Sequence, residues 1–241
     1  MSGIAPRAYS QRLGVLTPEQ LQAALDRFDL GTLIAADDAP GGLFGQNVMI
    51  ESTAGHWVLR GAPHYDWQFA KERYFARMIH ERTAVPAPWP YLVDDAADIF
   101  GWRYAIMPRL PGDALTDDVR RSLSPEDRIG IARAMGEGLA ALQEATWPVH
   151  AWYDIERAEL QPLEELYADW YIGWTQYWLD LCRKASDATT DDDVAWVEEV
   201  AASAREALAV PFQPSLVHTD YHAENVVVAR DGAGWRVSGI F

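Results

Sequence analysis

A polar loop between two apolar runs constrains the fold of this chain more than any other feature. The runs, residues 215–217 and 226–228, each have the length and composition of a short buried strand. The eight residues between them, 218–225, are rich in His, Asp, Glu and Asn. Because strands are expected to hold both ends of this loop, the sequence predicts that the loop is the active centre.

The spacing within the loop favours phosphoryl transfer. Asp220 precedes Asn225 by five residues, so a carboxylate can reach a substrate hydroxyl while an amide oxygen reaches a metal ion. Phosphoryl transfer needs one group at the hydroxyl and another at the metal, since its catalysis is mostly positioning and stabilisation of charge around Mg²⁺. An isolated His-x-Asp is more often a hydrogen-bonded pair in a tight loop. Asn225 and the flanking strands favour the functional interpretation.

The pattern His-x-Asp-x-x-x-x-Asn, formed by His218, Asp220 and Asn225, resembles the catalytic loop of the aminoglycoside phosphotransferase and choline kinase family, which shares the protein kinase fold. The resemblance implies that Asp220 is the catalytic base and Asn225 a Mg²⁺ ligand. It also implies that His218 is a buried residue that keeps the loop in shape. Thr219 stands where protein kinases usually carry Arg, which favours a small-molecule kinase.

Composition limits the class of protein. The 241 residues are 49% hydrophobic and 12% aromatic, enough for the core of one large domain or two lobes. No apolar run approaches a membrane span and residues 1–14 lack a signal-peptide core, so a cytoplasmic location is expected by default. The single cysteine, Cys182, excludes an internal disulfide and a cysteine zinc cluster.

The formal charge of −16 limits the partners. Nucleic acid and anionic membrane surfaces both need a basic footprint, so neither is expected as a partner. A polycationic small molecule would suit the charge. An acidic surface that only keeps the protein in solution explains it equally well.

The N-terminal part predicts a helix followed by strands. Thr17 and Gln20 form a capping box at the helix start. Strands are predicted over residues 32–36, 48–51 and 56–60.

The loop 39–47, which lies between the first two of these strands, contains Gly42 and Gly45. Glycines there can bring backbone N–H groups over phosphate oxygens. No Gly-x-Gly-x-x-Gly or Walker pattern is present, so an ordinary turn remains the alternative.

Arg60 ends the third predicted strand, where the resemblance implies a phosphate-contacting cation. Arg offers phosphate a planar fork, whereas the Lys of many kinases offers a point charge. The resemblance makes Glu72, on a helix predicted over 67–82, the carboxylate that orients Arg60. Arg60 as an exposed strand end is the alternative. Three basic residues on the helix offer Glu72 local partners instead: Lys71, Arg73 and Arg77.

Strands are predicted over 91–93 and 102–107. The run 103–112, which includes most of the second strand, resembles the hinge between kinase lobes. The resemblance implies that Met107 lines the back of an adenine pocket. It also implies that the Pro108 carbonyl accepts from the adenine amino group and that the Leu110 N–H donates to the ring. Pro108 lacks an N–H but keeps its carbonyl, so the chemistry is consistent. A strand that simply stops at Pro108 is the alternative.

Two helical regions follow. Ser124 caps a helix with a predicted inner face of Ile129, Ala132, Met135, Leu139 and Leu142. From residue 147 aromatic residues recur at helical spacing, which is typical of core packing. The resemblance implies that this insertion, about residues 147–210, forms part of the acceptor site. The substrate-binding candidates are Asp154, Glu156, Asp169, Trp170 and Trp174.

The chain then turns at 231–234 and runs as a strand, 235–241. The resemblance implies a second metal-binding Asp directly after Phe241, followed by further helices. The sequence stops at Phe241, so we expect a C-terminally truncated family member without this ligand.

Together these features predict an α+β, bilobal, protein-kinase-like fold. An antiparallel-sheet lobe should span residues 1–107 and a mainly helical lobe 108–241, with the catalytic loop at 216–228. The predicted activity is that of a small-molecule kinase that uses ATP and Mg²⁺, with an aminoglycoside-type antibiotic as acceptor and antibiotic resistance as consequence. The alternatives are a choline, homoserine or sugar kinase, an inactive pseudokinase that binds nucleotide, and a helical binding protein with an aromatic cleft.

Overall fold

The computed structural model describes residue 14 and residues 16–38, 46–186 and 188–241, with only the backbone of residue 46. Gly42 and Gly45 lie outside the described residues, so their contact with phosphate stays a prediction. Over the described ranges, no helix has the length and apolarity needed to cross a membrane.

The described chain is a mixture of helices and mainly antiparallel strands, as predicted. The helices are α1 (Pro18–Asp26), α2 (Gln68–Arg82), α3 (Asp117–Ser122), α4 (Pro125–Leu142), α5 (Tyr167–Ala185) and α6 (Asp191–Leu208), with a short 3-10 turn at Ala223–Asn225. The strands are β1 (Leu33–Asp38), β2 (Gln46–Ser52), β3 (Gly55–Gly61), β4 (Leu92–Asp94), β5 (Tyr104–Pro108), β6 (Asp113–Ala114), β7 (Ala151–Asp154), β8 (Glu159–Pro162), β9 (Val226–Asp231) and β10 (Gly234–Ile240).

The N-terminal part is a five-stranded antiparallel sheet in the order β1-β2-β3-β5-β4. Side chains alternate along β5. Tyr104 and Ile106 pack with α1, which begins at the predicted capping box. Ala105 and Met107 pack on the other face with Phe69 of α2. The sheet therefore has one helix on each face, and α2 covers the face that bears the candidate nucleotide residues.

A second sheet, in the order β10-β9-β6, packs against α4. Val226 and Val228 are fully buried there, which confirms the predicted second apolar run as a strand. Ile79 of α2 lies in one cluster with Leu142 of α4 and Ile240 of β10. The helix α2, which carries Glu72, thus packs against the elements that hold the loop 218–225.

The chain divides into two units. The first comprises the described residues up to Ala145, together with Ile155–Ala158 and Leu216–Phe241. The second comprises Thr146–Asp154 and Glu159–Ser215, and it contains the β7–β8 hairpin and the helices α5 and α6. The lobe boundary predicted after residue 107 stays a prediction.

The first apolar run, residues 215–217, is not a strand, contrary to the prediction. Ser215 makes one isolated bridge to Thr146, and Val217 is 68% exposed. The Leu216 N–H donates to the carbonyl of Ala145 in a connecting segment. The backbone is therefore satisfied locally, and no strand ladder is needed.

The predicted inner face of α4 is wrong in part. Ile129 is 68% exposed, whereas Ile131, Gly138 and Leu142 are buried. A Cβ at Gly138 would lie 2.9 Å from a methyl carbon of Val237. The helix is therefore rotated so that its glycine allows β10 to approach closely.

The aromatic stripe of α5 is not core, contrary to the prediction. Trp174, Tyr177 and Trp178 are about half exposed, at 50–52%, whereas Ala168 and Ile172 are buried. Trp174 stacks on Trp170 with centroids 6.3 Å apart and on Tyr177 at 5.6 Å. The helical spacing thus brings the rings against one another along the helix.

Candidate active site

The structure brings Arg60 and Glu72 together. Along β3, Leu59 points into the α1 face of the sheet, so Arg60 points to the face covered by α2. Arg60 Nη2 lies 2.8 Å from Glu72 Oε1, and the two side chains are 20% and 29% exposed. Two of the local alternatives are engaged elsewhere: Arg77 pairs with Glu81 at 2.8 Å, and Lys71 lies over the Trp67 ring.

Two further side chains donate to the Glu72 carboxylate. Gln68 Nε2 lies 2.9 Å from Oε1, and the Tyr91 hydroxyl lies 2.5 Å from Oε2. Burial, and then the charge of Glu72, raise the pKa of Tyr91 well above its ordinary value, so the hydroxyl stays protonated and donates. Burial alone would lower the pKa of Arg60, but Glu72 and Tyr91 together outweigh it, and the net pKa shift is upward. Both donors therefore keep their protons.

The hinge segment presents backbone groups at a free sheet edge. The Ala62 N–H donates to the Arg103 carbonyl, and the Arg109 N–H donates to the His56 carbonyl. The backbone groups of the odd-numbered residues in this segment therefore face β3. In an antiparallel ladder the Pro108 carbonyl and the Leu110 N–H then face the opposite edge. There β4 pairs with β5 only as far as Ile106. The predicted acceptor and donor thus emerge on the same edge beyond the end of β4.

Met107, the remaining hinge candidate, is 5% exposed. It packs in the cluster of Phe69 and Tyr91 under α2. Its place at the back of an adenine pocket stays a prediction.

Asp220 and Asn225 face each other across the catalytic loop. Asn225 Nδ2 donates to the Asp220 carbonyl at 2.9 Å and to its Oδ2 at 2.8 Å. The amide oxygen of Asn225 therefore points away from Asp220, and it accepts no hydrogen bond from the described residues. One loop thus offers an oriented carboxylate and a separate amide oxygen, which is the arrangement predicted from the spacing.

His222 is a residue that the sequence reasoning missed. Its Nδ1 accepts from the Glu224 N–H at 3.2 Å, so the neutral ring carries its proton on Nε2. Nε2 lies 3.3 Å from Asp220 Oδ1 and 3.1 Å from Asn225 Nδ2. The available signal was a second His within the spacer, two residues after the Asp.

Three contacts hold the loop in place. His218 Nε2 lies 3.0 Å from the Phe241 carbonyl, and the Phe241 N–H donates to the Asn225 carbonyl at 3.1 Å. The Tyr221 hydroxyl donates to the Met135 carbonyl of α4 at 2.7 Å, and burial raises its pKa. His218, predicted to be a buried residue, is half-buried. Its contact with Phe241 ties the loop to the end of β10.

The loop also contains a strained residue. Thr219 has a φ of 65°, in the left-handed region that β-branched residues avoid. Residues held in such conformations cost about 1–3 kcal/mol and cluster at functional sites. The turn at Thr219 directs the adjacent Asp220 out of the loop, and Asp220 is 71% exposed.

The acceptor candidates lie on different elements. Asp169, Trp170 and Trp174 lie on α5, Asp154 ends β7, and Glu156 belongs to the first unit. Asp169 forms an ion pair with Arg205 of α6, so its charge is locally balanced. Their role in acceptor binding stays a prediction.

The loop fits a magnesium ion through Asn225. In the described ranges, no three His, Cys, Asp or Glu side chains converge to hold a metal. Mg²⁺ is usually held by one or two protein oxygens, with substrate phosphates and water completing its shell. The unpartnered Asn225 amide oxygen suits such a site. The second metal-binding Asp stays a prediction.

The fold is the kinase-like fold of phosphotransferases. The sequence profile of the phosphotransferase enzyme family (APH) matches residues 38–241, and the chain belongs to that family. The predicted family and fold are thereby confirmed. A comparison with curated protein sequences gives no match.

Solved structures with the same fold are aminoglycoside and macrolide phosphotransferases. Apo APH(4)-Ia is 17% identical with a TM-score of 0.63, covering 93% of this chain and 70% of its own. Macrolide 2'-phosphotransferase MphH from Brachybacterium faecium is 18% identical with a TM-score of 0.59, and the match covers 92% of this chain and 70% of MphH. A structure described as a putative aminoglycoside phosphotransferase from Ralstonia eutropha is 19% identical with a TM-score of 0.59. The match covers 93% of this chain and 64% of that structure. The chain therefore spans just under two thirds of that last structure.

Proposed function

We propose that the protein transfers the γ-phosphate of ATP to a hydroxyl group of a small molecule. The observation that carries this proposal is the geometry of Asp220 and Asn225. The Asn225 amide nitrogen fixes the carboxylate at 2.8 Å, and its amide oxygen stays available to a metal. Family membership supports the reaction class. The donor ATP implies a cytoplasmic site of action.

In the proposed reaction Asp220 accepts the proton of the acceptor hydroxyl. The hydroxyl oxygen bonds to the γ-phosphorus as the bond to the bridging oxygen of ADP breaks, and ADP leaves. Mg²⁺, held by Asn225, would neutralise charge on the phosphate oxygens. Arg60, oriented by Glu72, grips phosphate oxygens through its planar guanidinium.

The hinge supplies the nucleotide base contacts in this proposal. The Pro108 carbonyl accepts from the adenine amino group and the Leu110 N–H donates to the ring, in front of Met107. Related structures support nucleotide use: APH(4)-Ia is solved with ADP or AMP-PNP, and APH(2'')-IIIa with GDP.

We place an aminoglycoside-type antibiotic first among acceptors. Structures of the same fold contain kanamycin or hygromycin B. The formal charge of −16 would favour the approach of a polycation. The acidic candidates Asp154, Glu156 and Asp169 would bind its amino groups in this proposal.

A macrolide is the second candidate acceptor, and the second unit favours it. Asp169 is already paired with Arg205, which leaves fewer carboxylates for amines. Trp170 and Trp174 stack in parallel and give an apolar surface that suits a lactone ring. MphH shows that this fold serves macrolides.

The test is Mg²⁺-dependent formation of ADP from ATP, measured with kanamycin, hygromycin B, a macrolide, choline, homoserine and simple sugars. We expect one acceptor class to accelerate ADP formation and to be recovered as a phosphate monoester. The same assay without acceptor measures background ATP hydrolysis. Absence of both Mg²⁺-ATP binding and transfer would reject the proposal.

A further inference from the structure

The Glu72 carboxylate accepts hydrogen bonds on both oxygens from three side chains. Arg60 of β3 and Gln68 of α2 share Oε1, at 2.8 Å and 2.9 Å, and Tyr91 donates to Oε2 at 2.5 Å. A carboxylate with both oxygens engaged has one favoured orientation. We call Arg60, Gln68, Glu72 and Tyr91 the Glu72 cluster.

Arg60 and Glu72 are candidates from the sequence, but neither Gln68 nor Tyr91 is. Tyr91 lies just before β4, is 4% exposed and packs with Phe69 and Met107. Its hydroxyl donates to Oε2 of Glu72, whereas Arg60 Nη2 donates to Oε1. Without that donor, Oε2 is free to rotate, and Glu72 can present either oxygen to Arg60.

Arg60 is also held on its far side, where Nη1 lies 3.4 Å from Asn47 Oδ1 of β2. The guanidinium therefore spans from β2 to α2. A small rotation of Glu72 would turn the plane of this fork, and a planar fork binds phosphate only in a narrow range of orientations.

We propose that Tyr91 is a positioning residue: its hydroxyl fixes Glu72 so that Arg60 presents its guanidinium to the phosphates of the nucleotide. This inference rests on the proposed function. It assigns to Tyr91 an effect on nucleotide binding that a buried ring alone would not have.

Tyr104 provides a matched control within the same sheet. It is fully buried, but it packs on the opposite face, with α1. Loss of its hydroxyl removes one buried polar group far from Glu72. Tyr104→Phe therefore reports the general cost of removing a buried tyrosine hydroxyl.

The experiment measures the dissociation constant of Mg²⁺-ADP by calorimetry, which needs no turnover. The proteins are wild type, Tyr91→Phe, Glu72→Gln, the double variant and Tyr104→Phe. We expect Tyr91→Phe to weaken binding about tenfold, the scale of one hydrogen bond to a charged group. Tyr104→Phe should bind as wild type. In the Glu72→Gln background, Tyr91→Phe should add less than about twofold, because its effect passes through the carboxylate.

Two results would overturn the inference alone: wild-type affinity in Tyr91→Phe, or an equal loss with and without the Glu72 carboxylate. Absence of Mg²⁺-ADP binding in the wild type would overturn the proposed function and this inference with it. If Tyr91→Phe does not fold, Gln68→Met removes the other uncharged donor to Glu72. We expect the same direction of change for it, and unchanged affinity there would also overturn the inference.

Discussion

The Glu72 cluster and the catalytic loop at 218–225 represent opposite ways to hold a charged group. In the cluster, Arg60 is 20% exposed and its partner carboxylate has donors on both oxygens. In the loop, Asp220 is 71% exposed, and its contacts with the Asn225 and His222 side chains lie within a segment of six residues. In the proposed function, the side that binds phosphate is therefore held in place before the nucleotide arrives, whereas the proposed catalytic carboxylate stays open to an incoming hydroxyl.

This difference separates the expected effects of substitutions. Breaking a half-buried, hydrogen-bonded ion pair leaves a desolvated charge, which costs stability as well as binding. Pairs in an exposed loop are screened by solvent and contribute little to folding. Substitutions in the cluster should therefore change affinity and stability together, whereas substitutions of the exposed Asp220 and His222 side chains should change turnover with little change in stability.

The largest effect is expected from Asp220→Ala. Loss of the general base should lower kcat by about 10² to 10⁴. Because Asp220 is mostly exposed, the midpoint of thermal unfolding should stay near that of the wild type. Asp118→Ala, on an exposed carboxylate of α3, is the matched control and should retain full turnover. Retained turnover in Asp220→Ala would remove this residue from the mechanism.

A smaller effect is expected from Arg60→Lys. Lysine keeps the charge but cannot reach Glu72 and Asn47 with two separate nitrogens. We expect kcat/KM for ATP to fall about 10- to 50-fold, mainly through KM, since one hydrogen bond to a charged group and the fork geometry are lost. Steady-state kinetics with ATP varied at saturating acceptor measure this. Equal KM values would show that the site does not depend on a planar cation.

A still smaller effect, about fivefold on kcat, is expected from His222→Asn. Asparagine keeps an acceptor for the Glu224 N–H but has no counterpart of Nε2, so Asp220 loses its contact with a ring nitrogen. His222→Gln provides the opposite change, because its amide nitrogen reaches the position of Nε2. We expect His222→Gln to recover much of the turnover while nucleotide affinity stays constant in both. The opposite order would indicate that His222 acts only as a cap for the 3-10 turn.

The sequence predicted the parts of the site that depend on local spacing. Asp220 and Asn225 share one loop, and their geometry follows from five residues of separation. Arg60 and Glu72 were paired through family resemblance, and the structure brings them together at 2.8 Å. His222 was missed because its contacts depend on how the loop turns back at Thr219, and the sequence does not specify that φ.

Predictions of buried faces from hydrophobic periodicity failed in part on α4 and on the aromatic stripe of α5, for different reasons. On α4, buried Gly138 faces Val237 and Tyr221, but glycine carries no weight in an apolar pattern. On α5, the aromatic spacing is satisfied by ring stacking within the helix, so the periodicity does not distinguish a buried face from an exposed one. Periodicity identified the helices, but tertiary contacts decided their buried faces.

The smallest expected effect sharpens the contrast between cluster and loop. Thr219 holds a left-handed φ of 65°, which glycine adopts without strain. Relief of about 1–3 kcal/mol of strain, less the entropy that glycine adds to the unfolded chain, should leave Thr219→Gly about 1 kcal/mol more stable. Denaturant unfolding measures this, and Thr219→Ala, which keeps a Cβ, should gain less. If turnover falls while stability rises, the strain at Thr219 helps to direct Asp220; if both are unchanged, the loop tolerates this conformation without cost.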